Sequence, residues 1–184
     1  LSFEFTNGVS LSGYNRFKIN ETRKTFRVKQ DFMPLGFSGT GSFNASAVFA
    51  GYGFGVEDSV AWNDYANIDV GDKWVLVFRG SPEGSQPHSA FAEHMPLRKK
   101  YMVARDNKAA GVLFVNPYDD NNLEKLLPLR FRSSASAGTI PVIHISQEIA
   151  QQLLPNNTTL KDLQKKLDNN RSSISFDLNV SISA

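Results

Sequence analysis

Trp74-Val75-Leu76-Val77-Phe78 is five apolar residues in a row without polar alternation. A strand with one face in water alternates, whereas one that is apolar throughout is covered on both faces. The chain must therefore lay structure on either side of this strand, which is expected to form the centre of the core. The run closes a longer stretch, Val48 to Gly80, that reads as a strand, a glycine-punctuated turn, an aromatic-acidic loop and the buried strand. Val48, Phe49 and Tyr52 are β-formers interrupted by Gly51, Gly53 and Gly55. The backbone leaves the first strand where only glycine tolerates positive φ or close approach. Asp69-Val70-Gly71-Asp72 is a turn ahead of Lys73.

Before that stretch, apolar and polar residues alternate around Asn7-Gly8. A three-residue loop opposes Phe5 to Leu11, so a bulged hairpin is expected from Phe3 to Leu11. Phe17 to Ile19 and Thr25 to Val28 read as short strands, and Gly36 to Ser42 as a loop. Ser81 to Pro96 holds three prolines, one glycine and two histidines, the composition of a long irregular loop. A helix follows from Leu97 to about Asn107, with Leu97, Tyr101 and Ala104 inward. Val112 to Val115 is a second buried run, and Asp119 to Asn122 a polar turn. Arg130 to Thr139 is a small polar loop before a strand over Ile140 to Ile145. Ser146 caps a short helix that ends before Pro155. Thr159-Leu160-Lys161-Asp162 is a capping box with Asp in place of Glu, opening a helix with Leu160, Leu163 and Leu167 inward. Ile174, Phe176, Leu178, Val180 and Ile182 alternate with polar residues, as in a half-buried strand. The two buried runs joined through a helix have crossover geometry, so the residues alone argue a mixed, β-dominated α/β domain.

At 184 residues the chain has length for one core and little for two. Net charge is +2, too small to argue for nucleic acid, and Arg98, Lys99, Lys100, Arg105 and Lys108 read as one solvated helical face. There are no cysteines, which removes disulfides and thiolate metal sites. No apolar run approaches a membrane span, and Leu1 to Phe5 does not read as a signal peptide. The abrupt ends, without a start methionine, suit an excised or processed piece. Asn-x-Ser/Thr sequons occur at Asn20, Asn44, Asn156, Asn157, Asn170 and Asn179. Composition supplies some by chance, and they matter only in a eukaryotic secretory context.

Several separate pieces agree in order and spacing with one family. VFAGYG at Val48 to Gly53, Asp64 to Val70, and Lys73 to Gly80 with Pro82 resemble the protease-associated domain, in the version inserted into secreted zinc-dependent aminopeptidases. Those are two-zinc exopeptidases related to the transferrin receptor and glutamate carboxypeptidase. Lys100 and Ala104 on a helix, Ala109 to Val115, and Ile140 to Ile143 with Ile145-Ser146 extend the resemblance, and Asp31 to Gly39 looks like its lead-in. It is clearest over Asp31 to about Leu154, with 1–30 and 155–184 completing the edge of a single domain over 1–184. The family usually closes its helix with glycine where Lys108 stands, so Asn107 is expected to take the left-handed position. The resemblance implies a β-barrel or sandwich flanked by helices.

The motifs of catalysis are missing from the sequence. The two zinc ions of such peptidases are held by histidines and carboxylates. Here His88 and His94 lie six apart in a loop and His144 falls in a buried strand. Gly36-Phe37-Ser38-Gly39-Thr40 lacks the last glycine of a nucleophile elbow. The glycines at 39–41 and 51–55 do not make a phosphate loop, and Asp119 to Asn122 lacks the spaced ligands of a calcium loop. Binding remains. Trp62, Tyr65 and Phe91 lie in loops, either as recognition groups or packing those loops onto the barrel. Phe91, His94 and Arg98 meet where the loop joins the helix, so Trp62, Phe91, His94 and Arg98 are the candidate substrate or partner contacts.

By resemblance, then, the chain is a non-catalytic insert that covers the cleft of a zinc aminopeptidase and limits peptide access. No cofactor is expected in the chain, two zinc ions are expected in a separate catalytic half, and secretion or a periplasmic location is implied. The partners implied are that half and a peptide or protein substrate. The alternative is a stand-alone module that binds a peptide or glycan.

Overall fold

The computed structural model describes residues 8–11, 13–22, 24–56, 60–84, 86, 88–118, 124–130 and 137–184. The expected Asp119 to Asn122 turn, most of the Phe3 to Leu11 hairpin and most of the Arg130 to Thr139 loop lie outside the described residues. The elements are β1 (Lys18–Ile19), β2 (Phe32–Pro34), β3 (Asn44–Ala50), β4 (Gly55–Val56), β5 (Trp62–Asn63), β6 (Trp74–Phe78), α1 (Leu97–Asp106), β7 (Gly111–Val115), β8 (Val142–Ile145), α2 (Gln147–Leu153), α3 (Leu160–Asn170) and β9 (Ser175–Ser183). Seven strands form one mixed sheet in the order β1-β9-β3-β6-β7-β8-β2, and β4 pairs with β5 in a separate ribbon. The fold is thus the β-dominated mixed one that the sequence implies, with three helices against the sheet.

β6 is the middle strand, parallel to β3 on one side and β7 on the other, and all five of its residues are buried. Fully burying such side chains is worth about 1.5–3 kcal/mol each, so this one strand outweighs any surface ion pair in the molecule. Trp74, Leu76 and Phe78 point to a core layer completed by α2 and α3 through Ile149, Leu153, Leu163 and Leu167. Val75 and Val77 point the other way, to Tyr101 and Ala104 of α1. Gly111 is required where β7 passes the Trp74 indole, because a Cβ there would stand 2.4 Å from the ring.

The helix starts follow their side-chain caps. Ser146 Oγ accepts from Ile149 N at 3.2 Å. Thr159 Oγ1 accepts from Asp162 N at 3.0 Å and donates to Asp162 Oδ2 at 2.7 Å, a reciprocal pair that fixes the first turn of α3. β9 keeps the predicted alternation but contains an irregularity: Ser46 pairs with Ser181 and Val48 with Asp177, while Asn179 adopts φ 56°. The excess on β9 is an even number of residues, so Leu178 and Ile182 still face the core.

Four expectations need correction. Thr25 to Val28 forms no strand; Val28 makes one isolated bridge to Phe32, while Phe26 and Val28 pack against the core from a loop. The Asp31 carboxylate accepts from Arg27 N at 2.7 Å, which closes a turn where a strand was expected. The left-handed residue after α1 is Lys108, at φ 65°, whereas Asn107 has φ −83°. Lys108 N donates to Arg105 O at 2.8 Å, so backbone bonding holds it there without a glycine. The β4–β5 ribbon stands where only loop was expected, and β2 lies in the Asp31 to Gly39 lead-in, for which no element was expected. Finally, Lys100 is not on the solvated face of α1: it is 1% exposed.

Candidate functional site

β3 ends at a turn in which Gly51 and Gly53 have φ of 44° and 71°. Gly53 N donates to Ala50 O at 2.8 Å, and Phe78 N donates to Gly51 O at 2.9 Å, tying the turn to the end of β6. The Asp64 carboxylate fills the inside of the turn. Its Oδ2 accepts from Phe54 N and its Oδ1 from Trp62 Nε1, both at 2.9 Å. A Cβ on Gly51 would stand 2.4 Å from Asp64 Oδ1, so the glycine is needed for room as well as for φ. Ser175 Oγ donates to Asp64 O at 2.6 Å and brings β9 into the same knot.

Lys100 enters this knot from α1. Its ammonium donates to Phe78 O at 2.9 Å and Gly80 O at 2.7 Å, the carbonyls of the last residue of β6 and of the loop just beyond it. It also lies 4.5 Å from the Phe54 ring centroid and 5.3 Å from that of Tyr52, a desolvated cation against aromatic faces. Burial lowers the Lys100 pKa to about 7, with the Arg79 charge acting the same way and Asp64 opposing. Burial raises the Asp64 pKa to about 7, opposed by its hydrogen bonds from Phe54 and Trp62 and by the Lys100 charge. Tyr52 donates its hydroxyl proton to Asp168 Oδ1 at 2.7 Å, and burial followed by that acidic neighbour raises its pKa.

Aromatic rings cover the knot. Phe54 stacks on Phe91 at 5.1 Å, Trp62 meets Phe91 edge-on at 5.4 Å, and His94 meets Phe54 at 6.4 Å. Beside them opens a surface pocket of about 240 Å³ with Phe54 and Val103 among its lining residues and His94, Lys99, Met102 and Asp106 around it. Three of the four predicted contacts therefore come together. Trp62 and Phe91 are buried, 3% and 2% exposed, and His94 is half-buried beside the pocket. Arg98 is placed apart, its guanidinium 5.6 Å from the Phe37 ring. Sequence reasoning missed Asp64, Lys100 and Met102. The available signal was Asp64 two residues after Trp62 in a glycine-rich stretch, and a lysine one residue before an inward tyrosine on the helix.

The remaining sequence candidates have structural partners. Ser38 Oγ accepts from Val142 N and donates to Gly39 O, each at 2.9 Å. His144 is buried, its Nδ1 accepts from Leu127 N at 2.9 Å, and burial with the nearby Arg79 charge lowers its pKa to about 3. Among the described residues no group of three or more His, Cys, Asp or Glu side chains is placed to hold a metal ion.

The family model of the PA domain matches residues 40–153. That is more than half of the chain, which belongs to the PA (protease-associated) domain family. Similar solved structures include an aminopeptidase from Aneurinibacillus sp. strain AM-1, with 16% identity and TM-score 0.48 over 91% of this chain and 29% of that one. A zinc aminopeptidase from Bacillus subtilis has 17% identity and TM-score 0.47 over 75% of this chain and 27% of its own. A peptidase M28 precursor from Shewanella amazonensis SB2B has 16% identity and TM-score 0.41 over 91% and 33%. The chain thus spans a third or less of the length of each. No curated protein matches.

Proposed function

We propose that residues 1–184 form one PA domain that acts as a non-catalytic insert of a secreted or periplasmic two-zinc aminopeptidase. The observation that carries this reading is the PA match over residues 40–153, which takes in the glycine turn, the buried strand and the helix on which the sequence resemblance rests. The domain covers the catalytic cleft and limits access to the ends of peptide chains by shape and loop contact, without bond chemistry of its own. The described residues do not fit a zinc site, so both zinc ions are assigned to the catalytic half of the same polypeptide. The contact region is the pocket beside the glycine turn. His94 reaches the peptide or the catalytic half directly, Trp62 and Phe91 set the floor from beneath, and Arg98 makes a separate contact from its place beside Phe37.

The test is capture of the protein from source cells and medium with an antibody raised against this chain. The captured species is then assayed for mass, bound zinc and release of an N-terminal residue from a peptide. A zinc-bearing, active species well above 20.4 kDa is the expected result. A zinc-free, inactive species of the chain's own mass, with no larger precursor, overturns the insert and leaves a free-standing recognition module.

A further inference from the structure

Fifteen asparagines in a chain with 26 serines and threonines among 184 residues should head about two Asn-x-Ser/Thr sequons by chance, whereas this chain has six. Their distribution is more telling than their number. None of the six asparagines between residues 45 and 155 heads a sequon, while six of the nine outside that range do. The bare range contains β6, β7, β8, α1 and both loops around the pocket. The sequons fall on the β1–β9–β3 end of the sheet and on the two ends of α3, the helix that packs on the face opposite α1.

Surface position separates these six further. Asn44, Asn156, Asn157, Asn170 and Asn179 are exposed. Asn44 opens β3, Asn170 ends α3, and Asn156 and Asn157 form the turn between α2 and α3. Asn179 occupies the β9 irregularity at φ 56°, a conformation that asparagine tolerates. Asn20 differs. Its Nδ2 donates to Asn44 Oδ1 at 2.8 Å and to Ser181 Oγ at 2.9 Å, while its Oδ1 accepts from Ser183 Oγ at 2.7 Å. Both amide hydrogens are in use, so attaching a sugar to Asn20 removes one and breaks a bond that joins β1 to its neighbours.

We propose that this side of the domain is an N-glycosylated surface, with Asn44, Asn170, Asn179 and one of the adjacent Asn156 and Asn157 as acceptors, Asn20 bare, and the α1 side free of carbohydrate. In the transfer, the asparagine Nδ2 bonds to the anomeric carbon of an oligosaccharide carried on a lipid pyrophosphate. The bond from that carbon to the pyrophosphate oxygen breaks, the lipid pyrophosphate leaves with the electron pair, and the amide gives up one proton. Carbohydrate placed there leaves the pocket side open to dock against protein, which is where the proposed function needs it. The inference rests on the secreted reading and requires a eukaryotic secretory route.

The experiment uses the same captured protein from source cells and medium. It is treated with a peptide N-glycosidase in ¹⁸O water, digested, and mapped by mass spectrometry against an enzyme-free control. The expected result is a fall in mass, with ¹⁸O-labelled aspartate at positions 44, 170, 179 and either 156 or 157, and unlabelled Asn20. Protein in the medium whose mass does not change overturns the glycan proposal and leaves secretion standing. Protein confined to the cytoplasm overturns the secreted reading and this inference with it. Label predominantly at Asn20 overturns the assignment made from the hydrogen bonds.

Discussion

Replacing Lys100 with methionine isolates the least usual feature of the site. The ammonium is buried and its pKa is lowered from 10.5 to about 7. Between those values the unfolded chain binds a proton that the folded chain has released, so stability rises with pH across this window. The sign is that of a lowered base: the folded state is penalised below about pH 7 and relieved above it. The full displacement corresponds to about 5 kcal/mol, of which about 2 kcal/mol should accrue between pH 7 and pH 9. Asp64, with a folded pKa of about 7, opposes the rise by about 0.4 kcal/mol between pH 7 and 9, too little to cancel it. The chain has no cysteine, and the pKa values of the buried Tyr52 and Tyr65 are raised, away from this window. The measurement is urea unfolding followed by tryptophan fluorescence at pH 7, 8 and 9 for the wild type and Lys100→Met. The wild type should gain about 2 kcal/mol over that range, and the variant should show no gain, because Asp64 without the Lys100 charge keeps its proton to higher pH and loses stability as pH rises. At pH 7 the variant loses two hydrogen bonds to Phe78 O and Gly80 O but also the cost of a buried charge, so the two proteins should lie within about 2 kcal/mol. A wild type that is flat from pH 7 to 9, or a variant that keeps the rise, refutes the argument.

Asp64→Ala leaves Phe54 N, Trp62 Nε1 and the Lys100 charge without their partner and should cost about 3–5 kcal/mol, read by the same unfolding assay together with a red shift of Trp62 emission. Gly51→Ala should cost at least about 2 kcal/mol, because it adds a 2.4 Å contact with Asp64 to the left-handed strain; Gly84→Ala, at φ 61° with open space around it, should cost only about 1 kcal/mol. Thr159→Ala removes the α3 cap and should cost about 1 kcal/mol, seen as a lower denaturant midpoint with an unchanged slope. His144 has a folded pKa of about 3 against 6.5, so its contribution is lost as pH falls below 6.5. His144→Gln keeps an acceptor for Leu127 N, and the wild type should lose about 2 kcal/mol relative to it between pH 6.5 and 4.5. Equal acid sensitivity of the two proteins sinks that reading.

What the sequence made legible was what period and punctuation encode. Trp74 to Phe78 announced a two-sided strand because five apolar residues have no other economical place. Thr159 and Asp162 announced a helix start because the box is local. The errors fell where a distant partner decides. Thr25 to Val28 alternates like a strand, but the Asp31 carboxylate bends the chain before it can join the sheet. Lys100 sits on α1 among four other cations in sequence, and its outward assignment followed from charge alone. Only the tertiary fold brings the carbonyls of Phe78 and Gly80 to it, and no periodicity in the helix records where β6 ends. The same holds for Asp64, whose partners are a backbone amide ten residues earlier and an indole two residues earlier.

The knot and the pocket divide the work between different atoms. Asp64, Tyr52 and Lys100 bind the ends of β3 and β6 to α1, α3 and β9, so they fix where the Phe54 and Phe91 rings stand. Met102, 41% exposed, and the exposed Lys99 and Asp106 stand outside that network on the outward face of α1. A side chain at those positions can change shape or charge without reaching any bond of the turn. The floor is therefore tied to the stability of the whole domain, whereas the rim is free to suit whatever surface it meets. Such a division lets one scaffold present different contact chemistry while the glycine turn and its buried ions stay fixed.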